Sequence, residues 1–279
     1  MKSENNRVCV VGVGTIGYPT ARAIRESGFE VYGYDIDETK SSRAKDLVVL
    51  SNWDELPTCS IYVLCLPTEL TNGVPDFSAL REAAKNIARS RPGGRVLICV
   101  ESTVSPGECR LLSETLRGTL LVHVPHRYWS KDPLHHGVRQ RRIIGALDSD
   151  SMGAGLRFYK RLGIPLHKLA SLEEAEMTKI VENSYRFVQI AFAEEVALLC
   201  EGLKIDWRAV RTAANTKWNI SIPEARSGID GCLAKDIRFL IQRSNSEDQH
   251  LLRGGIDTDS EYRTTVSRRR EKNGRRKSS

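Results

Sequence analysis

Three groups of residues have types and spacings that could do chemistry. Gly12, Val13, Gly14, Thr15, Ile16 and Gly17 form a Gly-x-Gly-x-x-Gly run between an apolar stretch and a helical one, and Asp35 stands 18 residues beyond Gly17. In such a run the first glycine turns the chain, the second lets the backbone approach a pyrophosphate, and the third lets a helix pack on a strand. The helix N-terminus then offers free N–H groups to phosphate oxygens. A carboxylate at Asp35 would accept hydrogen bonds from a ribose 2′-hydroxyl and repel a 2′-phosphate, so the expected cofactor is NAD rather than NADP. The competing reading is a structural domain that has lost its ligand. Lys179 and Asn183 are four residues apart and share a helix face, where an ammonium and an amide can hold an oxyanion or a water. Cys232 and Asp236 have the same spacing, and Lys235 and Lys179 could lower the thiol pKa by proximity. Taken alone, these last residues read more simply as a solvated lysine beside a neutral amide, and an inert thiol.

The elements that must position them can be read from periodicity. Apolar runs at 7–11, 30–34, 60–66, 95–100, 120–124 and 142–146 are strand candidates, the continuous ones suited to burial on both faces. Helical spacing fills 18–27, a stretch capped by Asp76 and running to 89, and a stretch from Ser105 with Pro106 in its first turn to near Gly118. This strand–helix rhythm predicts a parallel, doubly wound sheet with helices on both faces. Ser171 and Glu174 form a capping box, and helical spacing then runs to Gly202 with no proline or glycine inside it. Such a helix is about 45 Å long, a natural linker and dimerisation element. Asp206 caps another helix through about 214. After Leu240 the periodicity fades and little fixed structure is expected. The expected architecture is α/β: a Rossmann-type doubly wound parallel sheet over 1–170, and an all-helical dimerisation domain over 171–240 whose long central helix carries Lys179 and Asn183, with Cys232 downstream. A flexible basic tail over 241–279 is expected to follow.

Composition bounds the rest. The chain has 279 residues, 40% of them hydrophobic, enough for one large domain or two small ones. No run of about 18 apolar residues appears, and the first residues lack the pattern of a signal peptide, so a cytoplasmic location without a membrane partner is expected. The seven cysteines are odd in number and form no Cys-x-x-Cys pair, which suggests neither a disulfide framework nor a zinc ribbon; no metal is expected. Cys9, Cys65 and Cys99 lie in apolar runs and are expected to be buried. The net charge of +7 is uneven: residues 268–279 hold seven basic residues against one acid. A solvated tail is the plain reading and an anionic surface the sharper one. No aromatic residue interleaves the charges, so nucleic-acid binding is not expected.

From Val8 to about Phe239 the chain resembles the UDP-glucose/GDP-mannose dehydrogenase family. Lys40 falls where the family often has a basic residue behind the ribose acid. Leu66, Pro67 and Thr68 resemble its strand-end loop against the cofactor, and Glu101, Ser102, Thr103 and Val104 its Ser-Thr-Val motif. The segment 175–183 is similar to the family's central helix, continuing through Glu194, Glu195 and 213–216, and 231–236 is similar to its cysteine motif. The resemblance implies oxidation of a nucleotide-sugar C6 alcohol to a carboxylate with two NAD molecules. It implies Cys232 as the nucleophile, Lys179 and Asp236 as acid/base partners, Asn183 steadying an oxyanion and Thr103 ordering a water. Leu66, Pro67, Thr68, Ser102, Thr103, Lys40 and Lys235 would lie on the cofactor, and His126, Arg127, Lys179 and Asn183 on the substrate. A homodimer through the long helix is also implied.

The chain departs from the family pattern in places. Pro125 is followed by His126 and Arg127 where the family usually has a glutamate, and an imidazole could replace that carboxylate as base. Ile229 and Asp230 stand where glycines are usual, and Ala234 where proline is. Asp230 would oppose ionisation of the thiol. Residues 241–279 are too few for the family's C-terminal nucleotide-gripping domain, so activity of the chain by itself is an open expectation. Two other readings remain: a two-electron hydroxyacid-type dehydrogenase using Lys179 and Asn183, and a non-catalytic NAD-binding relative.

Overall fold

The computed structural model describes residues 6–40, 44, 46–90, 95–226, 228–229, 231–242 and 248–275, without the side chains of 270 and 272–275. The chain forms two compact units, Met1–Lys179 and Ile180–Ser279, divided inside the long helix rather than at 170.

In the first unit, buried runs such as VCVV and LICV become central strands because both faces of the sheet are covered. The strands are β1 (Arg7–Val11), β2 (Glu30–Tyr34), β3 (Val48–Leu50), β4 (Ile61–Leu64), β7 (Leu97–Val100), β8 (Leu120–His123), β9 (Arg142–Ala146) and β10 (Leu166–Lys168). They make one sheet in the order β10-β9-β8-β7-β4-β1-β2-β3, so the direction of winding reverses between β1 and β4. Clefts for ligands form at such a reversal, beyond the carboxyl ends of the strands. A short hairpin, β5 (Glu69–Thr71) with β6 (Val74–Asp76), leaves that end of the sheet. The rhythm predicts a parallel sheet, and one pairing departs from it: β8 and β9 run antiparallel, Val122 against Ala146. Between them there is no crossover helix, so the chain turns back from the end at which it left.

The helices of this unit are α1 (Gly17–Glu26), α2 (Ser78–Ser90), α3 (Glu108–Thr115) and α4 (Ser149–Arg161). Asp76 accepts from the Ser78 N–H at 2.8 Å, the expected cap. By contrast α3 begins after Pro106, with Gly107 at φ +91 as its cap. Its free N–H groups are met from elsewhere: Gly107 and Cys109 donate to the Glu176 carboxylate at 2.6 and 2.7 Å. Glu176 lies on α5 (Leu172–Gly202), which opens with the expected capping box, Ser171 Oγ accepting from the Glu174 N–H and Glu174 from the Ala170 N–H.

The second unit holds the rest of α5, then α6 (Trp207–Ala214), α7 (Cys232–Gln242) and α8 (His250–Arg275). Asp206 caps α6 by accepting from the Arg208 N–H at 2.9 Å. The 26-residue α8 corrects the expectation of a flexible tail. Leu252, Gly255, Ile256, Asp259 and Val266 turn to one side at helical spacing, and Leu252 and Ile256 pack on Phe187, Ile190, Ile229 and Ile237. The stripe is sparse, with three apolar residues, one glycine and one acid, and the Gly254–Gly255 pair reads as a breaker in sequence. A Cβ on Gly255 would sit 3.7 Å from Val188, so α8 lies close against α5 there. Among the described residues, no helix is long and apolar enough to cross a membrane.

Candidate functional site

The glycine run sits where β1 ends at the reversal of the sheet. Gly12 has φ +89 and donates its N–H to the Tyr34 carbonyl at 2.8 Å; a Cβ on it would come within 2.5 Å of the Cys65 carbonyl. A Cβ on Gly17 would lie 1.7 Å from the Gly12 carbonyl, so α1 can start here only with glycine. Gly14 is different: a Cβ there would meet nothing within 4 Å. The protein's own packing demands the outer two glycines, while the middle one faces open space beside the start of a helix. Asp35, at the end of β2, is fixed by the Val13 N–H at 2.8 Å and the Asp37 N–H at 3.0 Å. Gly12, Gly14, Asp35, Lys40, Leu66 and Pro67 share the walls of a cleft of about 400 Å³, and Thr15 lines an adjoining hollow. Lys40 lies 3.6 Å from Asp37, and Ile16 precedes α1 half-buried. This shape and donor set fit a dinucleotide: bare backbone for a pyrophosphate and an anchored carboxylate for a ribose.

Ser102 does not offer its hydroxyl to that cleft. It donates to the Leu66 carbonyl at 2.7 Å and accepts from the Leu66 N–H at 2.8 Å. The serine thus pins the loop carrying Leu66, Pro67 and the buried Thr68, and Thr103 follows it half-buried.

Beneath the loop lies a buried ion-pair network that the sequence reading did not assemble. Glu101 follows β7, accepts from Tyr159 Oη at 2.6 Å, and forms ion pairs with Arg142 Nη1 at 3.1 Å and with His126 Nε2. Burial alone would raise the carboxyl pKa, but the Arg142 and then the His126 interactions hold it down at about 2. The imidazole of His126 is pushed down by burial and by Arg142, against the pull of Glu101. His126 Nε2 also lies 3.0 Å from Thr20 Oγ1, and the residue is only 8% exposed. The ring of His126, expected on a substrate, is engaged here with Glu101 and Thr20. His123 is buried beside it, its pKa depressed to about 3 by desolvation, with Nδ1 on the Val100 carbonyl. Lys179 is buried nearby and its charge also disfavours both imidazolium ions. Arg127 donates to the Arg141 carbonyl at 3.0 Å. Cys65, Glu101 and His126 bring possible metal-binding atoms within 4.8 Å of one another. A buried guanidinium already pairs with that carboxylate, and burial raises the Cys65 thiol pKa, so by its chemistry the cluster is an ion-pair network.

In the second unit Cys232 opens α7 and is exposed, while Cys200 is buried. The other cysteines, all in the first unit, are buried or half-buried. Asp236 is fully buried one turn later; Asn183 Nδ2 donates to it at 2.6 Å and Lys235 Nζ lies 3.3 Å from its other oxygen. Lys235 also sits 4.6 Å over the Phe239 ring. The expected effect of Asp230 on the thiol lies outside the described residues. Asn215, in the matched 213–216 stretch, serves the fold: it accepts from the Ile222 N–H at 2.7 Å and donates to the Ile222 carbonyl at 3.0 Å.

Residues 173–258 match the model of the UDP-glucose/GDP-mannose dehydrogenase family, central domain. A UDP-N-acetyl-D-mannosamine dehydrogenase of Methanocaldococcus jannaschii is 28% identical over 86% of this chain and 62% of its own length. The solved structure of a UDP-D-ManNAc dehydrogenase from Pyrococcus horikoshii superimposes with a TM-score of 0.85 at 26% identity, over 94% of this chain and 70% of that one. A 3-hydroxyisobutyrate dehydrogenase from Mycobacterium tuberculosis, 14% identical with a TM-score of 0.72 over 94% of each chain, shares the fold. The chain thus spans about three fifths of the curated relative's length. With the central-domain match over 173–258 and the likeness along nearly all of this sequence, the chain is similar to the UDP-glucose/GDP-mannose dehydrogenase family.

Proposed function

We propose that this chain takes part in NAD-dependent oxidation of a nucleotide sugar at its C6 alcohol, giving the uronic acid. The observation that carries this reading is the pairing of two features. One is a Gly12–Gly14–Gly17 turn whose middle position faces open space beside an anchored Asp35. The other is an exposed Cys232 one turn before a buried Asp236 that is hydrogen-bonded to Asn183. When bound, NAD would accept a hydride in each of two oxidations. Asp35 would hold the adenosine ribose, and the N–H groups at Gly14 and the start of α1 the pyrophosphate.

The chain's own residues do the rest. Lys179 and Asp236 take and return the proton of the alcohol as it becomes an aldehyde. The Cys232 thiolate adds to the aldehyde carbon, forming a C–S bond and a thiohemiacetal. Loss of the second hydride converts this to a thioester, and a water ordered by Thr103 cleaves the C–S bond, releasing the acid and restoring the thiol. Asn183 donates to the oxyanion on either side of these steps, and Asp236 keeps its amide turned one way. Since relatives are named for UDP-N-acetyl-D-mannosamine, that sugar nucleotide is the first to offer. A homodimer is part of the proposal: Val181, Tyr185, Phe192 and Leu199 stay exposed at helical spacing along α5.

The test is NADH formation with a panel of UDP-sugars, with mass spectrometry of the product. Two NADH per sugar and a uronic acid are expected, and Cys232→Ser should abolish the acid. A Cys232→Ser variant that keeps full NADH production would instead establish a two-electron dehydrogenase. NAD binding without reduction by any sugar would establish a non-catalytic relative.

A further inference from the structure

Within the second unit, the turn entering Cys232 is gripped by α8. Ile229 stands three residues before the cysteine, and both of its backbone polar groups are taken. Its N–H donates to Asp259 Oδ1 at 2.7 Å, and its carbonyl accepts from Arg263 Nη2 at 2.5 Å. Arg263 Nε also donates to Asp259 Oδ2 at 2.9 Å, so the two side chains, one turn apart on α8, lock each other. The Ile229 side chain is buried among Phe187, Ile190 and Ile237. Glycines in the left-handed region flank the gripped residue, Gly228 at φ +101 and Gly231 at φ +65. A Cβ on Gly228 would come within 2.7 Å of the Arg263 guanidinium, so the missing side chain is what lets the arginine reach the backbone. A buried backbone N–H and C=O need partners, and most chains find them in regular structure. Here they are supplied by a carboxylate and a guanidinium from a helix some thirty residues downstream.

We propose that Asp259 and Arg263 are positioning residues for Cys232: together they set where the turn hands the thiol to the start of α7. The proposal rests on the reading of Cys232 as nucleophile. The pair does not touch the sulfur. It acts by fixing the backbone of Ile229 beside Gly228, a glycine that would otherwise let the chain swing, and a reacting atom displaced by about 1 Å can lose about a hundredfold in rate.

The experiment measures the rate of Cys232 alkylation by iodoacetamide across pH, mapped by peptide mass, on the intact protein. The remaining cysteines are buried or half-buried, which makes Cys232 the fast site. Asp259→Asn, Arg263→Met and Arg263→Lys are compared with the parent, together with NAD affinity and melting temperature. Displacement of the turn should change the alkylation rate at least about threefold and lower kcat for acid formation about tenfold at unchanged KM. NAD affinity should stay at the parent value. Arg263→Lys should recover part of the loss, since an ammonium keeps the charge but cannot bridge Asp259 and the Ile229 carbonyl together. If Arg263→Met does not fold, the Asp259→Asn and Arg263→Lys rates decide. Parental alkylation and kcat in these folded variants would overturn the clamp. Changed alkylation with no acid formed by any protein, the parent included, would leave the clamp standing and overturn the enzymatic reading.

Discussion

Two buried glutamates, one in each unit, have met opposite fates. Glu101 in the first unit is surrounded by Arg142, His126 and Tyr159, and its pKa falls to about 2 although burial works the other way. Glu194, on the part of α5 in the second unit, is also fully buried, yet neither of its carboxylate oxygens is hydrogen-bonded. Burial and then the charge of Asp259 raise its pKa to about 8, against partial relief from the Arg263 and Arg226 guanidinium groups. Tyr262 also faces it. Burial costs a carboxylate its hydration in both places; what differs is whether the fold supplies a cation and donors in exchange. The first unit surrounds its carboxylate with a cation and donors beneath the loop carrying Leu66. The second spends its arginine on Asp259 and on the turn before Cys232, and leaves Glu194 to hold a proton.

The comparison is broken most forcefully at Glu101. Glu101→Gln removes the anion and strands the fully buried Arg142 guanidinium. Removing one partner of such a pair typically costs about 3–5 kcal/mol, so urea unfolding should show a loss of that order. A loss below about 1 kcal/mol would mean that solvent or a shifted side chain replaces the pair. The two carboxylates should also shape the two limbs of stability against pH. Glu101 has a depressed pKa, so its contribution is present above the ordinary value of 4.5 and is lost as pH falls toward about 2. Glu194 has a raised one, so its contribution is whole below 4.5 and is lost as pH rises to about 8. Within that second window each proton adds a slope of about 1.4 kcal/mol per pH unit. Glu194→Gln should flatten this slope and stabilise the protein at pH 8, while leaving the acid limb unchanged. An unaltered slope in chemical unfolding from pH 5 to pH 8 would show that Glu194 is already ionised.

How far the sequence could be read follows the same division. The first unit was legible because its signals are local. A glycine run, an acid at a strand end and buried apolar runs each declare themselves within about ten residues, and they placed Gly12, Gly17 and Asp35 correctly in the fold. The antiparallel turn of β9 was not legible, because strand direction depends on the path of a loop and not on the strand's composition. Neither was the burial of His126, whose partner Glu101 lies 25 residues upstream and whose charge balance needs Arg142 from another strand. Ser171 and Glu174 in the first unit and Asp206 in the second could be read as caps. The helix α8 was hidden because Gly254 and Gly255 and a dense basic run mask a stripe of only a few contacts. Asp259 and Arg263 stand at i, i+4, and only the fold brings the backbone of Ile229 to both of them.

The finest test separates glycines required by the chain from the one left for a ligand. Gly17→Ala would drive a methyl into the Gly12 carbonyl, and Gly12→Ala would strain a left-handed residue against Cys65. Both should lower the melting temperature and the NAD affinity together. Gly14→Ala meets no protein atom within 4 Å, so the fold should keep its melting temperature. Calorimetric titration with NAD should then show weaker binding by about tenfold, or about 1.4 kcal/mol, because the added methyl occupies the space through which a pyrophosphate would approach the backbone. A Gly14→Ala protein that binds NAD as tightly as the parent would place the cofactor elsewhere. The open face at Gly14 would then have no ligand to account for it.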